Sequence, residues 1–238
     1  MLWEGRRVLI TGSSGYLGHE LAKALHGRRA VIDGLDLRRP PHDLLEGFVE
    51  ADLCDLEAVR EALGSFEPQT IFHLAGQSGV GASEKDPIGA FAANAQATWV
   101  VLEACRLYGG AEEIVATSSN HVYGHQEERP TPETAALNGL GAYAASKACG
   151  DLVARCYAET YGLPIVVARI TNSFGGADPH TGHLITGTLR SILRGEQPVV
   201  RGNGTAAKAY MRVDDTIEAL VLLAECLRVA PSFGSLPG

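Results

Sequence analysis

Short apolar runs alternate with amphipathic segments along the first two thirds of the chain. The runs are RVLIT, AVIDGLD, GFVEADL, TIFHLAG, EIVATSS and PIVVARI, and each is a nearly continuous apolar strip. Parallel strands that are buried on both faces have this composition, whereas half-exposed strands alternate polar and apolar residues. Between them, YLGHELAKAL and DLEAVREALGSF repeat leucine or valine at helical spacing. The pattern predicts an α/β fold with a doubly wound parallel sheet.

The pattern changes after residue 171. NSFGGADPHTGH reads as a polar loop, and it is followed by a predicted helix at LITGTLRSILRG, a short strand at PVVRG and a helix that starts near Asp214. The chain then ends in RVAPSFGSLPG, without a further strand or helix. We therefore predict a sheet domain over residues 1–171 and a small, apparently incomplete C-terminal substrate lobe over residues 172–238.

A glycine-rich turn joins the first run to the first helix. TGSSGYLG supplies glycines for a tight turn, for close approach to a pyrophosphate and for packing of helix against strand. Asp36 ends the second run, where a carboxylate accepts hydrogen bonds from ribose hydroxyls and repels a 2′-phosphate. Arg38 and Arg39 weaken the preference for NAD over NADP slightly, because either side chain could bind a 2′-phosphate. The pattern favours a Rossmann-type NAD site whose first residues are Gly12, Ser14, Gly15, Tyr16, Leu17, Gly18 and Asp36.

Two further strand ends are candidates for the same cofactor. Asp52 and Leu53 end the third run and are placed to flank the adenine, although Asp52 or Asp55 could instead cap the following helix. The fourth run ends in HLAG, whose small residues let a cofactor lie against the sheet edge; the predicted contacts are Leu74, Ala75 and Gly76. We expect His73 to be a hydrogen-bonded core histidine rather than a ligand.

A phenol and an ammonium lie four residues apart in YAASK, on one face of a predicted helix. A cationic Lys147 and an oxidised nicotinamide would favour the phenolate of Tyr143 and lower its pKa toward that of a general base. Ser119, at the end of EIVATSS, is placed to hydrogen-bond the same substrate oxygen. We therefore predict Ser119, Tyr143 and Lys147 as catalytic residues, with Tyr143 and Lys147 also contacting the cofactor.

Five motifs occur in the order and at roughly the spacing found in extended short-chain dehydrogenase/reductases. They are TGSSGYLG, HLAG, TSSNHVYG, YAASK and ARITNSFGG. The chain resembles their NAD-dependent epimerase/dehydratase group, which acts on nucleotide sugars, and within it the CDP-glucose 4,6-dehydratase-like branch. The resemblance implies that Tyr143 removes the proton of the sugar C4 hydroxyl, giving a transient 4-keto sugar. It also implies substrate contacts from Asn172, Lys208 and Arg212, and a homodimer formed through NAQATWVVLEACRLYG and the helix of residues 143–161.

Asn120 and His121 depart from the family pattern. Dehydratases of the family usually carry Asp and Glu at these positions, and an amide has no proton to give. His121, as a catalytic acid or base, could replace the carboxylates, with Asn120 binding the substrate. Four alternatives stay open: a 4-epimerase, a dehydratase that uses His121, a uronate-type sugar dehydrogenase that releases NADH, and a truncated NAD-binding protein with little catalysis. The pair could also merely shape the turn.

Charge and cysteine content limit the partners and the compartment. A formal charge of -8 and a pI near 5.5 argue against nucleic-acid and membrane-surface binding. Its five cysteines form no C-x-x-C pair, and the first apolar run begins too early for a signal peptide, so we expect a cytoplasmic protein. We expect no bound metal, because the four candidate ligands lack a carboxylate at fixed helical spacing; they are His121, His125, His180 and His183.

Overall fold

A computed structural model describes residues 2–128, 130–199, 203–205 and 207–230. Its main sheet has six parallel strands in the order β3-β2-β1-β4-β5-β6. The strands are β1 (Arg7–Thr11), β2 (Val31–Asp36), β3 (Gly47–Glu50), β4 (Thr70–His73), β5 (Glu113–Ser119) and β6 (Ile165–Ile170). All six apolar runs form strands, so the predicted Rossmann-type, doubly wound sheet is confirmed. The strand order reverses between β1 and β4, which creates a crevice at their carboxyl ends.

Helices cover both faces of this sheet. They are α1 (Tyr16–Gly27), α2 (Leu56–Phe66), α3 (Val80–Lys85), α4 (Pro87–Phe91), α5 (Ala97–Tyr108), α6 (Ala142–Tyr161), α7 (Leu184–Leu193) and α8 (Val213–Val229). A π-helical turn, Ala92–Gln96, joins α4 to α5, and a 3₁₀ turn, Asn120–Tyr123, follows β5. Within the described ranges, no helix is both long and apolar enough to cross a membrane.

Two apolar cores lie on opposite faces of the sheet. One contains Leu9, Ile71 and Ile114 of the strands with residues of α2, α5 and α6. The other contains Ile10 and Phe72 with residues of α1 and α8. Because neighbouring residues of each strand enter opposite cores, the middle of each strand is largely apolar on both faces, in agreement with the sequence runs.

A second, two-stranded sheet follows the first. It pairs β7 (Asn172–Phe174) with β8 (Tyr210–Arg212) in parallel. The strand predicted at PVVRG is not formed at Pro198 and Val199, and its last three residues lie outside the described residues, as do residues 231–238. The division of domains at residue 171/172 stays a prediction. Although α8 follows that point, it packs onto the main sheet through residues that include Ile217, Leu220 and Ala224.

Candidate functional site

The glycine turn after β1 has no room for a side chain at Gly12 or Gly18. Gly12 has a φ of +73°, and a Cβ there would lie 2.6 Å from the backbone nitrogen of Ala75. A Cβ on Gly18 would lie 2.1 Å from the carbonyl oxygen of Gly12. The turn is closed by the Gly15 N–H, which donates to that same oxygen at 3.0 Å. No side chain caps α1 among the described residues, so the helix presents backbone N–H groups at its start, which is the geometry that binds a pyrophosphate.

Asp36 lies beside this turn at the end of β2. Its Oδ2 accepts the Ser14 N–H at 2.9 Å, and its Oδ1 accepts the Leu37 N–H at 2.7 Å. The Ser14 hydroxyl donates to the Arg38 carbonyl. An ionised carboxylate has about four acceptor sites, so Asp36 retains capacity for ribose hydroxyls. The glycine turn and this carboxylate therefore fit a dinucleotide.

The remaining predicted cofactor residues lie in two places. Ala75 and Gly76 follow β4 at the crevice, and a Cβ on Gly76 would lie 3.0 Å from the Lys147 Nζ. Leu74 packs against the core on the α1 side of the sheet. Leu53 is buried in the opposite core. The capping role considered for Asp52 belongs to Asp55, which accepts the Glu57 and Ala58 N–H groups at the start of α2.

Asp52 instead forms a turn, in which its Oδ1 accepts the Cys54 N–H at 2.9 Å. The expectation for His73 is confirmed. Its ring is buried between the hydroxyls of Thr11, 2.8 Å from Nδ1, and Thr98, 3.1 Å from Nε2. Burial, followed by the charge of Lys147, lowers its pKa to about 3, so His73 is neutral at physiological pH.

Ser119 and Tyr143 meet at the carboxyl end of β5. The Ser119 Oγ accepts the His121 N–H at 3.2 Å, which fixes the start of the 3₁₀ turn. Tyr143 lies in the first turn of α6, close enough to the Ser119 hydroxyl for that group to influence its pKa. Burial raises the pKa of Tyr143, and the neighbouring Ser119 hydroxyl opposes this rise without cancelling it. The chain alone therefore does not produce the lowered phenol pKa expected from the sequence, because burial outweighs the favourable interactions.

Lys147 lies one helical turn after Tyr143. Its Nζ donates to the Thr117 carbonyl at 3.4 Å, and burial lowers its pKa to about 8. The structure thus brings Ser119, Tyr143 and Lys147 to the sheet edge that also carries Gly76. One long hydrogen bond does not offset the cost of burying the charged ammonium, and the lowered pKa reflects that cost. Such a group is typical of an active site and does not stabilise the fold.

Asn120 and His121 turn in different directions. The Asn120 Nδ2 donates to the Thr171 Oγ1 at 3.3 Å, and Thr171 in turn donates to the Ala209 carbonyl at 2.9 Å. The His121 ring stands edge-on to Tyr143, with 5.6 Å between ring centroids and an interplanar angle of 78°. Burial, followed by the charge of Lys208, lowers the pKa of His121, so the imidazole is neutral at pH 7.

The predicted substrate residues converge on the second sheet. Asn172 donates its side-chain N–H to the Ala209 carbonyl at 3.1 Å, next to the exposed Lys208. Arg212 forms an exposed ion pair with Asp214. The second sheet and the segment before β8 thus carry all three residues, Asn172, Lys208 and Arg212. Lys208 is near enough to His121 to lower its pKa.

Three residues that sequence reasoning did not select also hold the site. Arg169 forms a bidentate ion pair with the buried Asp151, at 2.8 and 2.9 Å, and donates to the Tyr123 hydroxyl at 2.8 Å. Asn94, buried in the π-helical turn, donates to the Gln77 carbonyl and the Ser146 hydroxyl at 3.2 and 3.0 Å. Thr171 is the third. The π-helical turn marks Asn94 as a residue with a particular role. The spacing of apolar residues along the sequence does not reveal such a turn, so sequence reasoning missed Asn94.

Two of the histidines considered for metal binding, His180 and His183, lie together before α7. His183 contacts Asp178 at 2.9 Å, and its ring lies tilted at 47° against that of His180, with 4.9 Å between centroids. Among the residues whose positions are described, no group of three or more His, Cys, Asp or Glu side chains is arranged to hold a metal.

The parallel sheet, the glycine turn and the Ser119, Tyr143 and Lys147 group at one sheet edge define an enzyme of the short-chain dehydrogenase/reductase type. The sequence profile of the NAD dependent epimerase/dehydratase family matches residues 8–233, and the chain belongs to this family. The cofactor predicted from the glycine turn and Asp36 is therefore confirmed as NAD.

Named relatives include both reaction types of the family. The chain is 27% identical to CDP-glucose 4,6-dehydratase of Salmonella typhimurium, over 94% of this chain and 68% of that protein. It is 30% identical to UDP-glucose 4-epimerase of Mycolicibacterium smegmatis, over 90% and 72%. The crystal structure of the Thermus thermophilus UDP-glucose 4-epimerase in complex with NAD superposes with a TM-score of 0.83 at 31% identity, covering 92% of this chain and 74% of that one.

Proposed function

We propose that this protein is a nucleotide-sugar 4-epimerase, which oxidises the sugar C4 hydroxyl and then reduces the transient 4-keto sugar from its other face. Its relatives act on UDP-, CDP- and dTDP-activated sugars, so a nucleoside-diphosphate sugar is the proposed substrate. The observation that carries the proposal is the meeting of Ser119 and Tyr143 beside Lys147, because these groups supply the acid–base chemistry for reversible oxidation of an alcohol when NAD is bound as the hydride acceptor.

Each residue has a defined task in this reaction. The glycine turn and Asp36 hold NAD, which when bound accepts the C4 hydride and returns it. Ser119 hydrogen-bonds the C4 oxygen and fixes its orientation. Tyr143 takes the C4 hydroxyl proton and gives it back to the same oxygen after the sugar has turned. Lys147 contributes positive charge near the phenol, while Asn172, Lys208 and Arg212 contact the diphosphate.

The orientation of Asn120 favours epimerisation over dehydration. Eliminating water from C5 and C6 needs a base for the C5 proton and an acid for the departing 6-hydroxyl. The Asn120 amide donates to Thr171 and cannot release a proton at physiological pH. Epimerisation needs neither group, because only the C4 hydride and hydroxyl proton move.

Dehydration is the second candidate, and His121 is the observation that favours it. The lowered pKa keeps its imidazole neutral at pH 7, and the ring lies edge-on to Tyr143. A neutral imidazole could take the C5 proton and pass it to the departing hydroxyl. We expect His121→Gln to abolish product formation if dehydration is the reaction, and to leave 4-epimerisation largely intact.

A substrate panel tests these alternatives directly. The protein is incubated with UDP-, CDP-, GDP- and dTDP-glucose, and product mass and retention are measured with and without added NAD. An unchanged mass with a new retention time supports the 4-epimerase. Loss of water identifies a dehydratase, and loss of two hydrogens with released NADH identifies a sugar dehydrogenase. Bound NAD without any product would overturn the enzymatic proposal in favour of a binding protein.

A matched tyrosine pair links the activity to the proposed base. Tyr143→Phe should lower kcat by at least about 100-fold, since general base catalysis contributes about 10²–10⁴-fold. Tyr161→Phe, an exposed phenol at the end of the same helix, should leave kcat unchanged. Both variants should retain NAD. Equal activity of Tyr143→Phe and the wild-type enzyme would exclude Tyr143 as the base.

We further propose that the protein forms a homodimer through α4, α5 and α6. Ile88, Phe91 and Trp99 are 84%, 40% and 49% exposed and line one groove, and Leu152 of the adjacent α6 is 55% exposed. Exposed apolar side chains grouped on neighbouring helices are typical of an interaction surface. Trp99→Glu should convert a dimer to a monomer in light scattering, whereas Leu222→Glu, on the exposed side of α8, should not. A monomeric wild-type protein would contradict the proposal.

The unpaired cysteine thiols are the basis on which we propose a cellular compartment. All five cysteines lie among the described residues and are unpaired. Burial raises the pKa of the Cys105 thiol to about 12, so this side chain is an inert core residue. Unpaired thiols suit a reducing environment, and we propose that the protein works in the cytoplasm.

A further inference from the structure

We propose that Tyr16 and Glu20 of α1 are positioning residues that hold the loop leading into α7, and so set the affinity for the nucleotide sugar. The inference rests on the proposed function and on the predicted substrate lobe of residues 172–238, which includes this loop and α7. Neither side chain is required by the redox chemistry itself.

Both side chains contact the same loop from one face of α1. The Tyr16 hydroxyl donates to the Gly175 carbonyl at 2.6 Å, and the Glu20 Oε1 accepts the Ala177 N–H at 2.8 Å. Residues four apart lie one above the other on a helix, so the pair forms a two-point clamp. Burial, followed by the charge of Asp178, raises the pKa of Tyr16, which keeps the phenol protonated as a donor.

The loop is shaped around the Glu20 carboxylate. Glu20 is 7% exposed, and a buried carboxylate is costly unless its oxygens are hydrogen-bonded. Gly176 has a φ of +56°, and a Cβ there would lie 2.3 Å from the Glu20 Oε1. The close approach therefore depends on a glycine in a left-handed conformation at this point of the loop.

The same loop sets the start of α7. Asp178 accepts the His180 N–H at 3.0 Å and the Thr186 hydroxyl at 2.6 Å, and its carboxylate contacts the His183 Nδ1 at 2.9 Å. In the part of the chain that the structure describes, no residue of α7 is fully buried. The position of α7 is therefore set more by the polar contacts of its preceding loop than by core packing.

Cofactor and substrate binding are expected to respond differently to loss of the clamp. The cofactor contacts proposed for α1 come from backbone N–H groups of its first turn, including that of Tyr16. Neither the Tyr16 hydroxyl nor the Glu20 carboxylate supplies them. Loss of Glu20 would free the loop, and the nucleotide sugar would then have to reorder it on binding. When only a fraction of the molecules have the loop ordered, the apparent affinity for the nucleotide sugar falls in proportion to that fraction. This appears as a raised KM for the nucleotide sugar, with little change in the Kd for NAD.

Four variants test the clamp. Glu20→Ala removes the acceptor, Glu20→Gln keeps an oxygen acceptor of the same length, and Tyr16→Phe removes only the hydroxyl. Lys23→Ala is the matched control, because Lys23 is an exposed residue of the same helix. For each we would measure the Kd for NAD by calorimetry, the KM and kcat for the nucleotide sugar, and amide hydrogen exchange over residues 175–183.

Glu20→Ala is expected to raise KM about tenfold and to speed exchange at Ala177, with the Kd for NAD within about twofold of wild type. Glu20→Gln and Lys23→Ala should both stay close to wild type. If Glu20→Ala does not fold, Tyr16→Phe should show the same changes to a smaller extent. Unchanged exchange in Glu20→Ala and Tyr16→Phe, or an equal weakening of NAD binding, would overturn the proposal.

The two proposals can fail separately. If the wild-type protein converts no nucleotide sugar, the proposed function fails, while amide exchange at Ala177 still decides whether the clamp holds the loop. If turnover is observed and exchange rises in Glu20→Ala without any change in KM, the positioning role is wrong and the 4-epimerase proposal stands.

Discussion

Replacing Lys147 by methionine is expected to stabilise the folded protein at pH 7 and to abolish its activity. Burial lowers the pKa of Lys147 from 10.5 to about 8. A lowered lysine pKa means that the charged form is disfavoured in the folded state, and this fall corresponds to about 3 kcal/mol. Methionine has a similar length and no charge, so it removes that cost. For a chain of this size, Tm should rise by about 6–12 °C.

The effect has a definite pH dependence. Below pH 8 the lysine is charged in both folded and unfolded states, so the full cost of burying the charge is present. Between pH 8 and about 10.4 the folded lysine is neutral while the unfolded one still binds a proton, so wild-type stability rises with pH. The advantage of the methionine variant should therefore be largest at pH 7 and should shrink toward pH 10.

Thermal or urea unfolding of nucleotide-free protein at pH 7, 8.5 and 10 measures this directly. Lys23→Met is the matched control, since Lys23 is exposed on α1 and its replacement should change the free energy of unfolding by at most about 0.5 kcal/mol. A Lys147→Met protein that is less stable than wild type at pH 7, or whose advantage does not depend on pH, would refute the reasoning.

Three further predictions follow from the strand ends and helix starts. Gly18→Ala should weaken NAD binding and destabilise the fold, because its Cβ would lie 2.1 Å from the Gly12 oxygen, whereas Gly64→Ala has open space and should stabilise α2 by about 0.5–1 kcal/mol; calorimetry and thermal unfolding test both. Asp36→Ala should weaken NAD binding and narrow the preference for NAD over NADP, as measured in parallel titrations. Asp55→Ala should cost about 1 kcal/mol of stability in urea unfolding, and no loss would contradict its capping role.

The main sheet could be predicted because buried parallel strands leave little freedom in composition. Largely apolar runs such as RVLIT indicate burial on both faces, and β1 occupies the whole of that run. The short strand at PVVRG was predicted on the same grounds, but Pro198 and Val199 are not in a strand. Two apolar residues beside a proline are too few for the pattern to discriminate between a strand and a loop.

The candidate site was predictable where spacing along the chain determines proximity. Tyr143 and Lys147 are neighbours on one helix, and the Gly12–Gly18 turn is local, so the sequence alone places each group. Arg169 and Glu20 act on partners far away in the chain, and no local pattern marks such contacts. The sequence predicts a Tyr143 pKa lowered by Lys147 together with an oxidised nicotinamide, whereas in the chain without NAD burial raises this pKa, and burial is a property of the folded chain.

The most direct test of the proposed function follows the hydrogen at C4. UDP-glucose carrying deuterium at C4 is incubated with the enzyme in ordinary water, and the product is analysed by mass spectrometry and NMR. If UDP-glucose is not a substrate, the nucleotide sugar that the panel shows to be converted is used instead, with deuterium at the same position. The account predicts a C4 epimer that retains the deuterium at C4, with a slower rate than for the unlabelled sugar. Product without deuterium at C4, or deuterium found at C6 of a dehydrated sugar, would contradict it.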